Sequence, residues 1–122
     1  MDRCWSIINK LHAGGIYLGD AKLANFIATD ASVVRVVDFE AAGVIGEEPP
    51  DVRTFFIEHL PKDPCVADRL HFLASVLFPY EAGRYSWSDR RVDLSALMNQ
   101  TPDTDPAKWA HHKLRRELKN LK

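Results

Sequence analysis

The stretch from Phe26 to Asp38 constrains the fold more than any other part of the chain. Phe26-Ile27-Ala28-Thr29 and Val33-Val34-Arg35-Val36-Val37 are short apolar runs, and the second is β-branched almost throughout. Such side chains are stiff at χ1 and fit the pleated surface of a sheet. Asp30-Ala31-Ser32 between them supplies turn chemistry. The pattern predicts a hairpin, and a hairpin returns the chain to its starting point. Residues just before Phe26 are thereby brought beside residues just after Val37. Asn25 and Asp38 occupy those two places.

Around the hairpin the chain reads as helical. Trp5, Ile8 and Leu11, with Ile7, form an apolar stripe over residues 3–13, stopped by Gly14-Gly15. Residues 16–25 show no period and are expected to be a short strand and a loop. Residues 38–50, with Gly43, Gly46 and Pro49-Pro50, read as a loop. A helix is predicted over 51–60, between Pro50 and Pro61. Residues 65–78 are the most apolar stretch. Val66, Leu70, Leu73 and Leu77 step by three or four there, which predicts a buried central helix. One or two helical turns are expected over 94–99 and a linker over 101–106. A last helix is expected over 107–121, with Ala110, Leu114, Leu118 and Leu121 on one face. The expectation is one α+β domain, mainly α, over residues 1–122, with a motif core at 4–43 and a helical remainder at 51–122.

Charge and composition narrow the function. Sixteen Lys and Arg against 17 Asp and Glu give a net charge of −1, which excludes nucleic-acid binding by bulk positive charge. No apolar run approaches the roughly 20 residues of a membrane span. The first ten residues lack the shape of a signal peptide. Two cysteines, Cys4 and Cys65, make no disulfide framework, so a reducing cytoplasm is the expected location.

Four polar residues stand at fixed offsets around the hairpin: Asp20, Lys22 at +2, Asn25 at +5 and Asp38 at +18. Folded as expected, they gather two carboxylates, an amide and an ammonium in one cleft. Phosphoryl transfer from ATP needs such a set. Mg²⁺ prefers hard oxygen ligands and takes one or two from a protein beside phosphate and water. A second carboxylate can orient or deprotonate an accepting hydroxyl, and an ammonium can neutralise phosphoryl oxygens.

The same segment resembles the catalytic core of the protein-kinase-like superfamily. Leu18-Gly19-Asp20-Ala21-Lys22-Leu23-Ala24-Asn25 is similar to the catalytic-loop pattern histidine-x-aspartate-x-lysine-x-x-asparagine. Asp38-Phe39-Glu40 is similar to the metal-binding aspartate-phenylalanine-glycine. The order of helix, glycine, loop, hairpin and aspartate is also the family's. The resemblance implies a kinase-like large lobe whose small hairpin carries the catalytic and metal-binding loops. It implies Asp20 as catalytic base, Lys22 as phosphate contact, and Asn25 and Asp38 as Mg²⁺ ligands, with ATP as the phosphoryl donor and a hydroxyl-bearing acceptor. An aspartate early in the central helix braces the catalytic loop in this family; Asp68 and Asp51 are both candidates.

Leu18 stands for the family's histidine, Gly19 for arginine, Leu23 for a common proline and Glu40 for glycine. Acidic residues at that last position occur in atypical bacterial kinases, among them lipopolysaccharide sugar kinases and the kinase-like domains of lanthionine synthetases. Only 19 residues precede Asp20, with no glycine-rich strand pair and no strand lysine. The small lobe is therefore expected to be missing, or supplied by a partner chain that binds nucleotide. Turnover by the chain alone is not expected. The alternative is a non-catalytic, pseudokinase-like binding module.

Other residues are given plainer roles. His12 is read as a helix-end residue near the C-terminal dipole, and His111-His112 as surface residues. Cys65 has no neighbour in sequence that would activate it. The basic last helix, with Lys108, Lys113, Arg115, Arg116, Lys119 and Lys122, is read as a solvated face rather than a membrane contact.

Overall fold

The computed structural model describes residues 2–19, 21–30, 33–39, 42–47, 63–77, 98–99 and 101–120. The architecture is α+β and mainly helical, as expected. Its elements are α1 (Asp2–Ala13), β1 (Ile16–Tyr17), a 3₁₀ turn (Leu23–Asn25), β2 (Phe26–Asp30), β3 (Val33–Val36), β4 (Gly43–Val44), α2 (Pro64–Leu77) and α3 (Asp105–Lys119). No helix among the described residues is long and apolar enough to cross a membrane.

Helix α2 is the centre of the molecule. Every residue from Leu70 to Leu77 is buried. Helix α3 lies against it through Ala110 and Leu114, both fully buried. Thr104 caps α3 by accepting from the Ala107 amide at 3.3 Å, and Pro106 enters its first turn. Arg69 of α2 donates to Glu117 of α3 at 3.0 Å. Phe72 joins the layers. Its ring centroid lies 5.3 Å from Phe26 of β2, 6.3 Å from Trp5 of α1 and 6.4 Å from Trp109 of α3.

Two small antiparallel sheets sit at one end of this helical body. In one, β2 pairs with β3 in the expected hairpin, with Phe26 opposite Val36 and Ile27 opposite Arg35. Phe26, Val34 and Val36 pack toward the core, while Ile27, Val33 and Arg35 face out, the period of two that a half-buried hairpin requires. Val37 lies just beyond the strand. In the other sheet, β1 pairs with β4, Ile16 opposite Val44 and Tyr17 opposite Gly43. The second pairing corrects the expectation of a plain loop over 38–50. Tyr17 explains it: a Cβ at residue 43 would overlap the Tyr17 ring at Cζ and the hydroxyl, so the strands close only over glycine. The predicted helix over 51–60, with Asp51, lies outside the described residues, as do residues 81–93 and, of the turns expected over 94–99, residues 94–97.

Candidate functional site

The segment from Leu18 to Asn25 begins where α1 ends. Gly14 donates to the Lys10 and Leu11 carbonyls, and Gly15 takes φ +87°, the left-handed cap that closes a helix. The chain then enters β1 and emerges onto the face of α2. There one carboxylate holds its start. Asp68 Oδ2 accepts from the Leu18 amide at 2.7 Å, and Oδ1 accepts from the Gly19 amide at 2.8 Å. His12 Nε2 adds a third donor to Oδ2 at 2.7 Å; since the carboxylate accepts, Nε2 carries the proton. The side chains of His12 and Asp68 are 8% and 2% exposed, so the exchange of water for these bonds is nearly complete. Gly19 takes φ +75°, a conformation that glycine adopts without the steric cost of a side chain.

The far end of the segment is held by the same helix. Ser75 Oγ accepts from the Leu23 amide at 2.8 Å and donates to the Phe72 carbonyl at 2.7 Å. Asp68 and Ser75 stand seven residues apart, about 10.5 Å along one side of α2. The helix thus works as a ruler against which the segment is laid. Between its two anchors, Ala21 is fully buried. Leu18, which stands where the resemblance expects histidine, is 2% exposed and belongs to the hydrophobic core.

The hairpin then brings back the last site residue. The Val37 amide donates to the Asn25 carbonyl at 2.9 Å, so the residue after Asn25's partner is Asp38. Asn25 is 7% exposed, while Asp38 is exposed. Asp38 has φ +65° and is the only non-glycine with positive φ among the described residues. Left-handed backbone at a non-glycine residue is sparsely populated and clusters at functional sites, though aspartate tolerates it better than most. Beyond it, the Ile45 amide donates to the Gly15 carbonyl at 2.8 Å, which ties the returning chain to the entry of β1.

Of the residues singled out from the sequence, Asn25 and Asp38 are brought together and Lys22 sits in extended backbone one turn before Asn25. Asp20 and Glu40 lie outside the described residues; the neighbours of Asp20, Gly19 and Ala21, are both fixed. Of the two candidate braces, Asp68 is bonded to the segment, and Asp51 lies outside the described residues. Two partners escaped the sequence reading. His12 is at the helix end, as expected, but its function there is the bond to Asp68. Ser75 was not singled out at all. The available signal was the recurrence of polar residues at 68, 71 and 75, one stripe of a mostly apolar helix. Of the two adjacent histidines, His112 is exposed, and the half-buried His111 donates from Nε2 to the Met98 carbonyl at 3.1 Å.

Tyr17 and Cys65 flank Asp68. Burial, then the nearby Asp68 and Glu47 carboxylates, pushes the Tyr17 hydroxyl up, so it stays neutral. Burial, and next Asp63, pushes the Cys65 thiol up, against a nucleophilic role. Among the described residues no three His, Cys, Asp or Glu side chains gather to hold a metal ion. The Asn25 amide and the Asp38 carboxylate both carry hard oxygen donors of the kind Mg²⁺ prefers. No protein-family model matches the chain, and neither a curated protein nor a solved structure matches it.

Proposed function

We propose that the chain is the large lobe of an atypical protein-kinase-like phosphotransferase, one that moves the γ-phosphoryl group of ATP to a hydroxyl. The observation that carries this reading is the bond from the Val37 amide to the Asn25 carbonyl, which sets Asp38 beside Asn25. The motif resemblance requires that juxtaposition, and an arbitrary match of two short motifs does not. The brace from Asp68 to the two amides ahead of Asp20 supports the same reading.

In this reading the Asn25 amide oxygen and the Asp38 carboxylate hold Mg²⁺, which supplies charge neutralisation at the phosphate oxygens. Asp20 accepts the proton of the acceptor hydroxyl as its oxygen attacks the γ-phosphorus and ADP leaves. Lys22 balances negative charge on the transferring oxygens. A second polypeptide, or a small lobe, covers the nucleotide. Ile27, Val37 and Phe39 beside the site are 47%, 37% and 51% exposed, apolar surface of the kind such a cover would bury. That same surface suits a non-catalytic binding module, which remains the rival reading.

Calorimetry of ATP binding, with and without Mg²⁺, tests the assignment on the wild-type chain and on Asp38→Ala and Asp38→Gly. Glycine adopts the left-handed backbone freely, so the second variant separates lost chemistry from lost folding. Mg²⁺-dependent heat in the wild type that disappears in both variants is expected. No heat in the wild type overturns the phosphotransferase reading, and equal heat in all three overturns the metal assignment.

A further inference from the structure

A groove of about 290 Å³ opens between α1 and β3, away from the bonds that build the candidate site. Arg3, Ser6, Ile7 and Lys10 form one wall, and Val33 and Val34 form the other. The wall on α1 follows from helical spacing. Residues 3, 6, 7 and 10 fall on one stripe, while Cys4 and Ile8 point into the core. The wall on β3 is informative in a different way. Successive strand residues point to opposite faces, so a groove touched by both Val33 and Val34 runs along the edge of the strand. The sheet order is β2-β3, and among the described residues no strand lies on the far side of β3.

The groove is shallow and at the small end of what holds a metabolite. Its length is better matched to an extended chain. From Arg3 to Lys10 is about 10.5 Å of helix rise, and four residues of extended chain cover about 13 Å. Both ends of the α1 wall are cationic, Ser6 and Ile7 stand between them, and among the described side chains no acid lines it. Asp2, the nearest acid in sequence, is turned away to accept from Trp109 Nε1 at 2.8 Å.

We infer that this groove docks an extended acidic peptide segment of a partner protein, added along the edge of β3 that no described strand pairs. Strand addition gives affinity through main-chain hydrogen bonds, and alternate side chains give specificity. Side chains at alternate positions of the segment reach the groove: an acid at Arg3, an aliphatic residue against Ile7 and Val33, and an acid at Lys10. The order acid, aliphatic, acid, each separated by one outward residue, is the recognition pattern. The inference does not depend on phosphoryl transfer and holds equally for a binding module.

Fluorescence anisotropy with the full chain tests it. The probe is a short labelled peptide in which glutamate, isoleucine and glutamate alternate with threonine; the control carries lysine in place of glutamate. Saturable binding of the acidic probe alone is expected, weakened about tenfold or more by the double variant Arg3→Glu/Lys10→Glu. Both side chains are exposed, and unchanged thermal melting verifies that the variant folds. Lys119→Glu, on the exposed end of α3, is expected to leave binding intact. Absence of binding to the acidic probe overturns the proposal. So does equal weakening by Lys119→Glu, which would mark a general charge effect, and so does full competition by inorganic phosphate, which would mark an anion site without a peptide.

Discussion

The two halves of the candidate site are held in opposite ways. The segment from Leu18 to Leu23 lies against α2, with its amides bonded to Asp68 and Ser75 and with Leu18 and Ala21 in the core. The segment from Val37 to Phe39 is exposed throughout, and the Val37 amide ties it to the first half through the Asn25 carbonyl. The first half is shaped by burial and would keep its form without a ligand. The second carries the strained aspartate and faces solvent. A candidate site built this way has one face fixed by the core and one face exposed to solvent.

Asp68→Ala strikes hardest at that contrast. It leaves two amides and the His12 Nε2 without their acceptor in a buried place, and a loss of about 3–5 kcal/mol is expected in urea unfolding. A loss below about 1 kcal/mol would mean that α2 does not shape the first half. Ser75→Ala removes one acceptor at the other end of the segment and is expected to cost about 1–2 kcal/mol. Asp38→Gly addresses the open half. It is expected to change stability by less than about 1 kcal/mol, because relief of left-handed strain is offset by the entropy of glycine. A large destabilisation there would erase the distinction between the halves.

The smallest effect concerns Tyr17. Its folded-state pKa lies above the ordinary 10.0, so the fold favours the neutral hydroxyl. That contribution is fully present below pH 10 and is lost as the pH rises above it, when the unfolded chain releases the proton first. Tyr17→Phe is expected to flatten the alkaline fall in stability relative to wild type, measured by urea midpoints across that range. An unchanged slope would show that the ring lies less deeply against Gly43 than described.

The regular parts of this arrangement were legible in the residues. The stripe of Trp5, Ile8 and Leu11 gives α1, the run from Val66 to Leu77 gives α2, and Ala110 and Leu114 give the inner face of α3. Each is a long apolar period, the strongest signal a sequence carries. The β-branched runs likewise give β2 and β3. What escaped was short or distant. Strand β4 is two residues long and exists because Tyr17 fits over Gly43, a contact no local pattern encodes. Asp68 and Ser75 each meet a partner about fifty positions away, and such pairings leave no mark on spacing. The choice between Asp51 and Asp68 could not be made from the residues for the same reason. Asn25 and Asp38 were legible because a hairpin fixes its own ends, whatever surrounds it.

The remoteness of Asp68 has a consequence for synthesis. The ribosome delivers the chain from the amino end, and domains form as their parts become available. Leu18 and Gly19 leave the exit tunnel well before the helix whose carboxylate anchors them. The nascent polypeptide therefore carries this segment in an unshaped form, and the segment acquires its geometry late, when the central helix emerges and docks.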